Sequence, residues 1–144
     1  MIYLDANSVI DSVERVERVE RVEPYRQLLV PYWDAANPDT LRIVTSKLTL
    51  LEVVVKPFKI GDAVLEQAFR TLLLGSSDVD LLAVSQDILV RAAQLRAVTT
   101  LRTPDAIHAA TALEHGCNLF ITNDPAFRRV PALPVVVLSD ALTP

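Results

Sequence analysis

Hydrophobic positions along the chain fall in short blocks separated by polar caps and turn residues. Met1 to Leu4 is an apolar run that stops at Asp5, which reads as a buried strand with an acid at its C-terminal end. Asp11 and Glu14 stand three apart, the spacing of a capping box. Tyr25 to about Ala36 predicts a helix entered through Pro24, a residue suited to a first turn, and Asn37-Pro38-Asp39 is a turn. Leu41 to Thr45 predicts a second strand; Ser46 then caps a helix through Lys56, ended by Pro57. Gly61-Asp62 opens a helix from Ala63 to Leu74, closed by Gly75-Ser76-Ser77. Val79 to Val84 predicts a third strand, followed by a helix from Ser85 to Arg96. Thr103 as N-cap and Pro104 as first residue open a helix to Glu114, with Gly116 as its stop. Leu119 to Thr122 and Val135 to Leu138 read as further strands. Strands alternating with helices indicate an α/β fold with a mainly parallel sheet. In such sheets, sites lie beyond the carboxyl ends of the strands.

Residues 13–23 read Val-Glu-Arg three times and then Val-Glu. A period of three falls about 60° short of a full helical turn at each step, so the valines spread over roughly half the circumference. Glu14–Arg18 and Glu17–Arg21 stand at i, i+4 with Glu first, each stabilising by about 0.3–0.5 kcal/mol. The stretch reads as an amphipathic, solvated helix, with partner binding through the valines as the alternative.

The length of 144 residues fits a single domain spanning 1–144, large enough to bury roughly 68–70% of its unfolded surface. At 51% hydrophobic residues and a mean hydropathy of +0.30, the chain is too apolar for a disordered protein. No apolar run approaches the ~20 residues of a membrane span, and the N-terminus lacks the basic region of a signal peptide. One cysteine, Cys117, excludes an internal disulfide and a Cys-based zinc site. A cytoplasmic protein is expected. The net charge of −4 shows no basic surplus of the kind stable nucleic-acid binders carry, so any polyanionic substrate must be held by metal ions and a few local cations.

Four acids stand out by position. Asp5 and Asp124 follow strands; Asp105 lies in the first turn of a helix, where the positive helix end favours a carboxylate; Glu52 is set among Leu48, Leu50, Leu51 and Val53 to Val55. Each has an ordinary alternative: a cap for Asp5, an i, i+4 pair with Lys56 for Glu52, a helix-terminal charge for Asp105 and a turn aspartate for Asp124. If the fold gathers all four, two carboxylates about 5 Å apart repel by roughly 3 kcal/mol at an effective dielectric of 20, and six pairs reach on the order of 20 kcal/mol. Such a cluster must take protons or bind cations, and all-oxygen ligands favour Mg²⁺, Mn²⁺ or Ca²⁺. Mg²⁺ keeps waters and bridges to phosphate, an arrangement suited to phosphodiester cleavage.

The stretches Ile2-Tyr3-Leu4-Asp5-Ala6-Asn7-Ser8-Val9-Ile10, Leu48-Thr49-Leu50-Leu51-Glu52-Val53, Thr103-Pro104-Asp105-Ala106-Ile107-His108-Ala109-Ala110-Thr111-Ala112 and Ile121-Thr122-Asn123-Asp124-Pro125-Ala126-Phe127 occur in the order seen in PIN-domain nucleases. Together they resemble the VapC-type toxins of toxin–antitoxin pairs, across Met1 to about Leu138. The repeat is not part of that pattern. The resemblance implies a three-layer α/β/α sandwich and an acidic Mg²⁺ or Mn²⁺ site built from Asp5, Glu52, Asp105 and Asp124. It marks Thr122, and with it Asn7, as polar neighbours orienting a carboxylate or water; Asn7 stands where the family commonly has Thr or Ser. It implies an endoribonuclease leaving 5′-phosphate and 3′-hydroxyl ends, with Asp5, Asp105 and Asp124 as metal ligands and Glu52 as ligand or water-orienting base. A toxin of this kind would be a homodimer held inactive by a small antitoxin.

Other residues read more plainly. Arg102 is a surface arginine that can meet phosphate, His108 a packed or capped helix histidine with contact to the site as the alternative, Cys117 a buried small residue, and Tyr32 and Trp33 packing for the second helix, with stacking on bases as the alternative. A haloacid-type phosphatase needs a second acid where Asn7 stands, and the three glycines, at 61, 75 and 116, form no phosphate-cradling loop. The competing readings are a PIN fold without catalysis that serves as an interaction scaffold, and a free-standing RNA-processing nuclease.

Overall fold

A computed structural model describes residues 1–13, 22–37 and 39–141. Residues 14–21 of the Val-Glu-Arg repeat, with Glu14 of the expected capping box among them, therefore lie outside the described residues. Five strands, β1 (Ile2–Leu4), β2 (Ile43–Ser46), β3 (Val79–Leu82), β4 (Leu119–Thr122) and β5 (Val135–Val137), form one sheet in the order β3-β2-β1-β4-β5. Every pairing is parallel. The helices are α1 (Ala6–Val13), α2 (Val22–Ala35), α3 (Lys47–Ile60), α4 (Ala63–Arg70), α5 (Gln86–Val98), α6 (Thr103–Glu114) and α7 (Leu138–Ala141).

The period-2 alternation of a strand divides the core into two layers. Tyr3, Val44 and Phe120 point to the face covered by α5 and α6, where Ile88, Ala92, Leu95, Ala106, Ala109 and Ala110 pack. Ile2, Leu4, Ile43 and Ile121 point to the other face, beneath Val9, Leu29, Val53, Phe69 and Leu138 of α1, α2, α3, α4 and α7. The protein is thus a three-layer α/β/α sandwich. Small residues on α6 let that helix lie close to the sheet. Trp33 donates through Nε1 to Ser12 Oγ at 2.9 Å and so ties α2 to α1.

Local chemistry sets most boundaries. Ser46, Asp62 and Ser85 cap α3, α4 and α5, accepting from Leu48, Leu65 and Ile88 N–H respectively. Gly61 at φ +68° ends α3 and Gly116 at φ +61° follows α6, backbone positions where a Cβ is disfavoured.

Several boundaries differ from the sequence expectation. Pro57 does not end α3, which runs on to Ile60; Pro57 is buried, α3 packs on α4, and the stop falls at Gly61 instead. Asp11 lies inside α1 rather than at a cap, because Asp5 both ends β1 and caps the helix that follows at once. The helix from Ala63 gives way after Arg70 to a π-turn, Thr71–Gly75. Thr103 is the first residue of α6; its N-cap is Arg102, whose side chain makes no capping bond. Beyond Asp124 the chain forms a 3₁₀ turn, Pro125–Arg129, and Leu138 begins α7 instead of closing β5. Among the described residues no helix is long and apolar enough to cross a membrane.

Candidate active site

The chain order β1, β2, β3 runs outward on one side of β1, and β4, β5 on the other. The crevice between β1 and β4 is therefore the topological switch point, where open α/β sheets bind ligands beyond the strand ends. Asp5 stands there at the end of β1, 4% exposed. Its Oδ1 accepts from the Ser8 N–H at 2.9 Å and its Oδ2 from the Thr122 hydroxyl at 2.5 Å. The Thr122 hydroxyl also accepts from the Asp124 N–H at 3.0 Å, which fixes its proton toward Asp5. Ser8, buried in the first turn of α1, anchors the same corner by donating to the Ile121 carbonyl at 3.1 Å.

Burial pushes the Asp5 carboxyl above its ordinary range, against the hydrogen bonds from Thr122 and Ser8 that favour its ionised form. Asp105, half-buried in the first turn of α6, is also pushed up, first by burial. The Arg102 guanidinium, 4.0 Å away, opposes that shift, while the charges of Asp124 and Asp5 add to it. Asp5, Asp105 and Asp124 thus share one electrostatic neighbourhood with too little positive charge of its own. Asp124 also performs the ordinary turn role, accepting from the Ala126 N–H at 2.9 Å to open the 3₁₀ turn.

Glu52 reaches the same region from α3 by another route. Its Oε1 meets His108 Nε2 at 2.5 Å, and His108 Nδ1 meets the Tyr3 hydroxyl at 2.6 Å. With Tyr3 as donor to Nδ1, the Nε2–H of His108 points at Glu52. His108 is 1% exposed and the Tyr3 phenol is pushed well above its ordinary pKa, chiefly by burial and then by the Asp5 charge. The chain of hydrogen bonds anchors Glu52 to the centre of the sheet. In the sequence its signal is a histidine one turn after Asp105, which reads as packed or capped, with contact to the site as the alternative; the role of Ser8 gives no signal of its own. Asn7 is exposed on α1 and has no side-chain partner among the described residues.

The donor set fits a hard divalent cation in its chemistry: oxygen ligands only, Asp5 buried and Asp105 half-buried, with repulsion at Asp105 that a cation would relieve. Among the described residues no three potential ligands converge into a ready-made metal cluster.

The PIN domain family model matches residues 2–133. Among solved structures, a chain of a toxin–antitoxin complex from Klebsiella pneumoniae is similar at 30% identity and a TM-score of 0.69, covering 96% of this chain and 98% of that chain. A chain of VapBC2 from Rickettsia felis, bound to a promoter DNA fragment, gives a TM-score of 0.71 at 18% identity over 95% of this chain and 98% of that one. VapC20 from Mycobacterium tuberculosis, a sarcin–ricin loop cleaving toxin, gives 0.70 at 17% identity over 89% and 93%. The last two likenesses show the fold. No curated protein matches the sequence.

Proposed function

The chain belongs to the PIN domain family, and from that premise we propose that it is a divalent-cation-dependent endoribonuclease, the toxin of a toxin–antitoxin pair. The observation that carries the reading is the buried Asp5 carboxylate at the switch point, hydrogen-bonded by Ser8 and Thr122 and facing the charges of Asp105 and Asp124. Buried charge left without a cation costs several kcal/mol per ion, so a site of this kind is suited to receiving one.

In this proposal Asp5, Asp105 and Asp124 hold Mg²⁺, with Mn²⁺ as substitute, and Glu52 is a further ligand or the base that orients water. When bound, the ion supplies charge stabilisation on the RNA phosphate and lowers the pKa of the attacking water. The protein's own groups prepare that chemistry. Thr122 directs its proton at Asp5 Oδ2 and leaves the remaining lone pairs for the ion. The Ser8 N–H holds Oδ1. His108, backed by Tyr3, sets the direction of the Glu52 carboxylate.

The same reading takes residues 1–144 as one cytoplasmic domain that acts as a homodimer and is restrained by a small antitoxin. Apolar side chains exposed on α3 and α4, among them Leu51, Phe58, Ile60 and Val64, support a protein partner. The scaffold reading draws on one observation, the engagement of Glu52 by His108. Cleavage of structured RNAs by wild type and Asp5→Asn, with Mg²⁺, with Mn²⁺ and with chelator, separates the two. Metal-dependent cleavage that vanishes in the variant is expected; equal behaviour of the two proteins returns the chain to a scaffold.

A further inference from the structure

Charge pairing divides the arginines whose side chains are described. Five are ion-paired, Arg102 with Asp105 of the acidic site and four with carboxylates outside it: Arg42 with Asp80, Arg70 with Glu66, Arg91 with Glu114 and Arg128 with Asp140. Arg102, Arg96 and Arg129 meet at the segment 99–103 that links α5 to α6. Arg96, in the last turn of α5, donates through Nη1 to Thr103 Oγ1 at 2.9 Å and through Nε to the Leu101 carbonyl at 3.2 Å. Arg129, five residues after Asp124, donates through Nη1 to Thr100 Oγ1 at 2.9 Å. Arg102 lies within the segment, its side chain 88% exposed and its Nε 4.0 Å from Asp105.

Neutral oxygens position Arg96 and Arg129 without cancelling their charge, and among the described residues no carboxylate pairs with either. Three cations therefore stand on one flank of an acidic site, in a chain whose net charge is −4. We infer that Arg96, Arg102 and Arg129 form a rim that grips the phosphates of an RNA strand flanking the cleavage site. The inference rests on the nuclease reading and adds to it the surface that receives the substrate. Guanidinium suits phosphate binding because it stays charged and its planar fork matches phosphate oxygens. The tethers to Thr100, Leu101 and Thr103 leave other N–H groups of Arg96 and Arg129 to bind, and they preorganise two of the three side chains. The rim also answers a problem of charge, because Asp5, Asp105 and Asp124 would by themselves repel an approaching strand.

The test is the binding of a labelled single-stranded RNA by fluorescence anisotropy, in chelator and across a salt series, beside cleavage of the same RNA in Mg²⁺. Replacing Arg96, Arg102 and Arg129 together by Gln is expected to flatten the slope of log K against log salt by about 2, at about 0.7 for each phosphate no longer neutralised. At about 0.1 M salt that corresponds to weakening on the order of a hundredfold. A control with Arg42, Arg70 and Arg91 changed to Gln carries the same loss of charge and is expected to keep the wild-type slope. Arg96→Lys and Arg129→Lys retain the charge and guard against disturbance of the 99–103 segment; they too are expected to keep the slope.

Equal slopes and affinities for wild type and the rim variant, with cleavage by wild type intact, overturn the rim and leave the nuclease reading standing. Equal weakening in the paired-arginine control overturns it as well, in favour of net charge alone. Preference of wild type for a polyglutamate peptide over RNA assigns the rim to an acidic protein segment instead. If wild type neither binds nor cleaves RNA, the rim falls together with the nuclease reading.

Discussion

At the N-terminal edge of the sheet the Met1 ammonium bonds Asn118 Oδ1 at 2.7 Å and Arg42 pairs with Asp80; at the C-terminal edge Asp105 feels the charges of Asp124 and Asp5, with Arg102 and then His108 in partial opposition. The same five strands carry both edges. At the first, polar groups close the ends of the strands, and exposed pairing of this kind stabilises little. At the second, the fold buries charge that it does not neutralise. Such an arrangement is costly to the free protein and useful only if something binds, which is the physical reason perturbed carboxylates mark functional sites.

The sharpest break of this contrast is Asp5→Asn. On the nuclease reading it lowers cleavage by roughly a thousandfold, about 4 kcal/mol of transition-state stabilisation. The same variant in chelator at neutral pH is expected to melt no lower than wild type, because it removes a desolvated charge while keeping an acceptor for Ser8. A lower Tm together with full activity would make Asp5 a structural residue.

Cation binding tests the same edge by linkage. Burial raises Asp5 and Asp105 above the ordinary carboxylate value of about 4. The folded chain therefore binds their protons more tightly than the unfolded chain does. Cation-free stability falls as pH rises from about 4 through the raised values. Mg²⁺ offsets that decline only where the carboxylates are ionised. Its stabilisation should approach about 2.7 kcal/mol at about a hundred times Kd at neutral pH, and disappear on acidification through the raised values. A Tm increment indifferent to pH, read by differential scanning calorimetry, would place the cation elsewhere.

His108→Ala acts one residue further from the acids. It leaves the Tyr3 hydroxyl buried without its partner and frees Glu52 to turn. A decrease of about 10–100-fold in kcat is expected, the scale for residues that orient metal ligands, with a cost of about 1–3 kcal/mol of stability for the unsatisfied hydroxyl. His108→Gln, which retains an N–H for Glu52, should recover part of kcat; if neither variant changes kcat, the orientation of Glu52 has no role in cleavage. The smallest effect belongs to the opposite edge. Arg42→Ala removes a pair whose two side chains are about half exposed. It should cost less than about 1 kcal/mol in urea unfolding and leave cleavage unchanged; a clear drop in cleavage would show that the two edges are coupled.

The fold is legible wherever near neighbours decide it. Ser46, Asp62 and Ser85 cap helices through bonds two or three residues away, and Gly61 and Gly116 supply the left-handed backbone that stops or follows them. The acids at strand ends follow from parallel α/β topology, since the carboxyl ends of the adjacent strands β1 and β4 flank one crevice. Pro57 misleads because a proline's local cost is outweighed by packing of the last turn of α3.

The order of elements can thus be read directly along the chain, because it depends on periodicity and on neighbours a few residues away, whereas the four acids are singled out by the resemblance, since position alone leaves each an ordinary role. Which groups answer those acids is settled only by long-range packing. Tyr3 and His108 stand 105 positions apart, His108 and Glu52 56, Thr122 and Asp5 117, and Arg129 and Thr100 29. No local pattern encodes such pairs. They arise when the switch between β1 and β4 and the packing of α6 on the sheet bring distant segments within hydrogen-bonding distance.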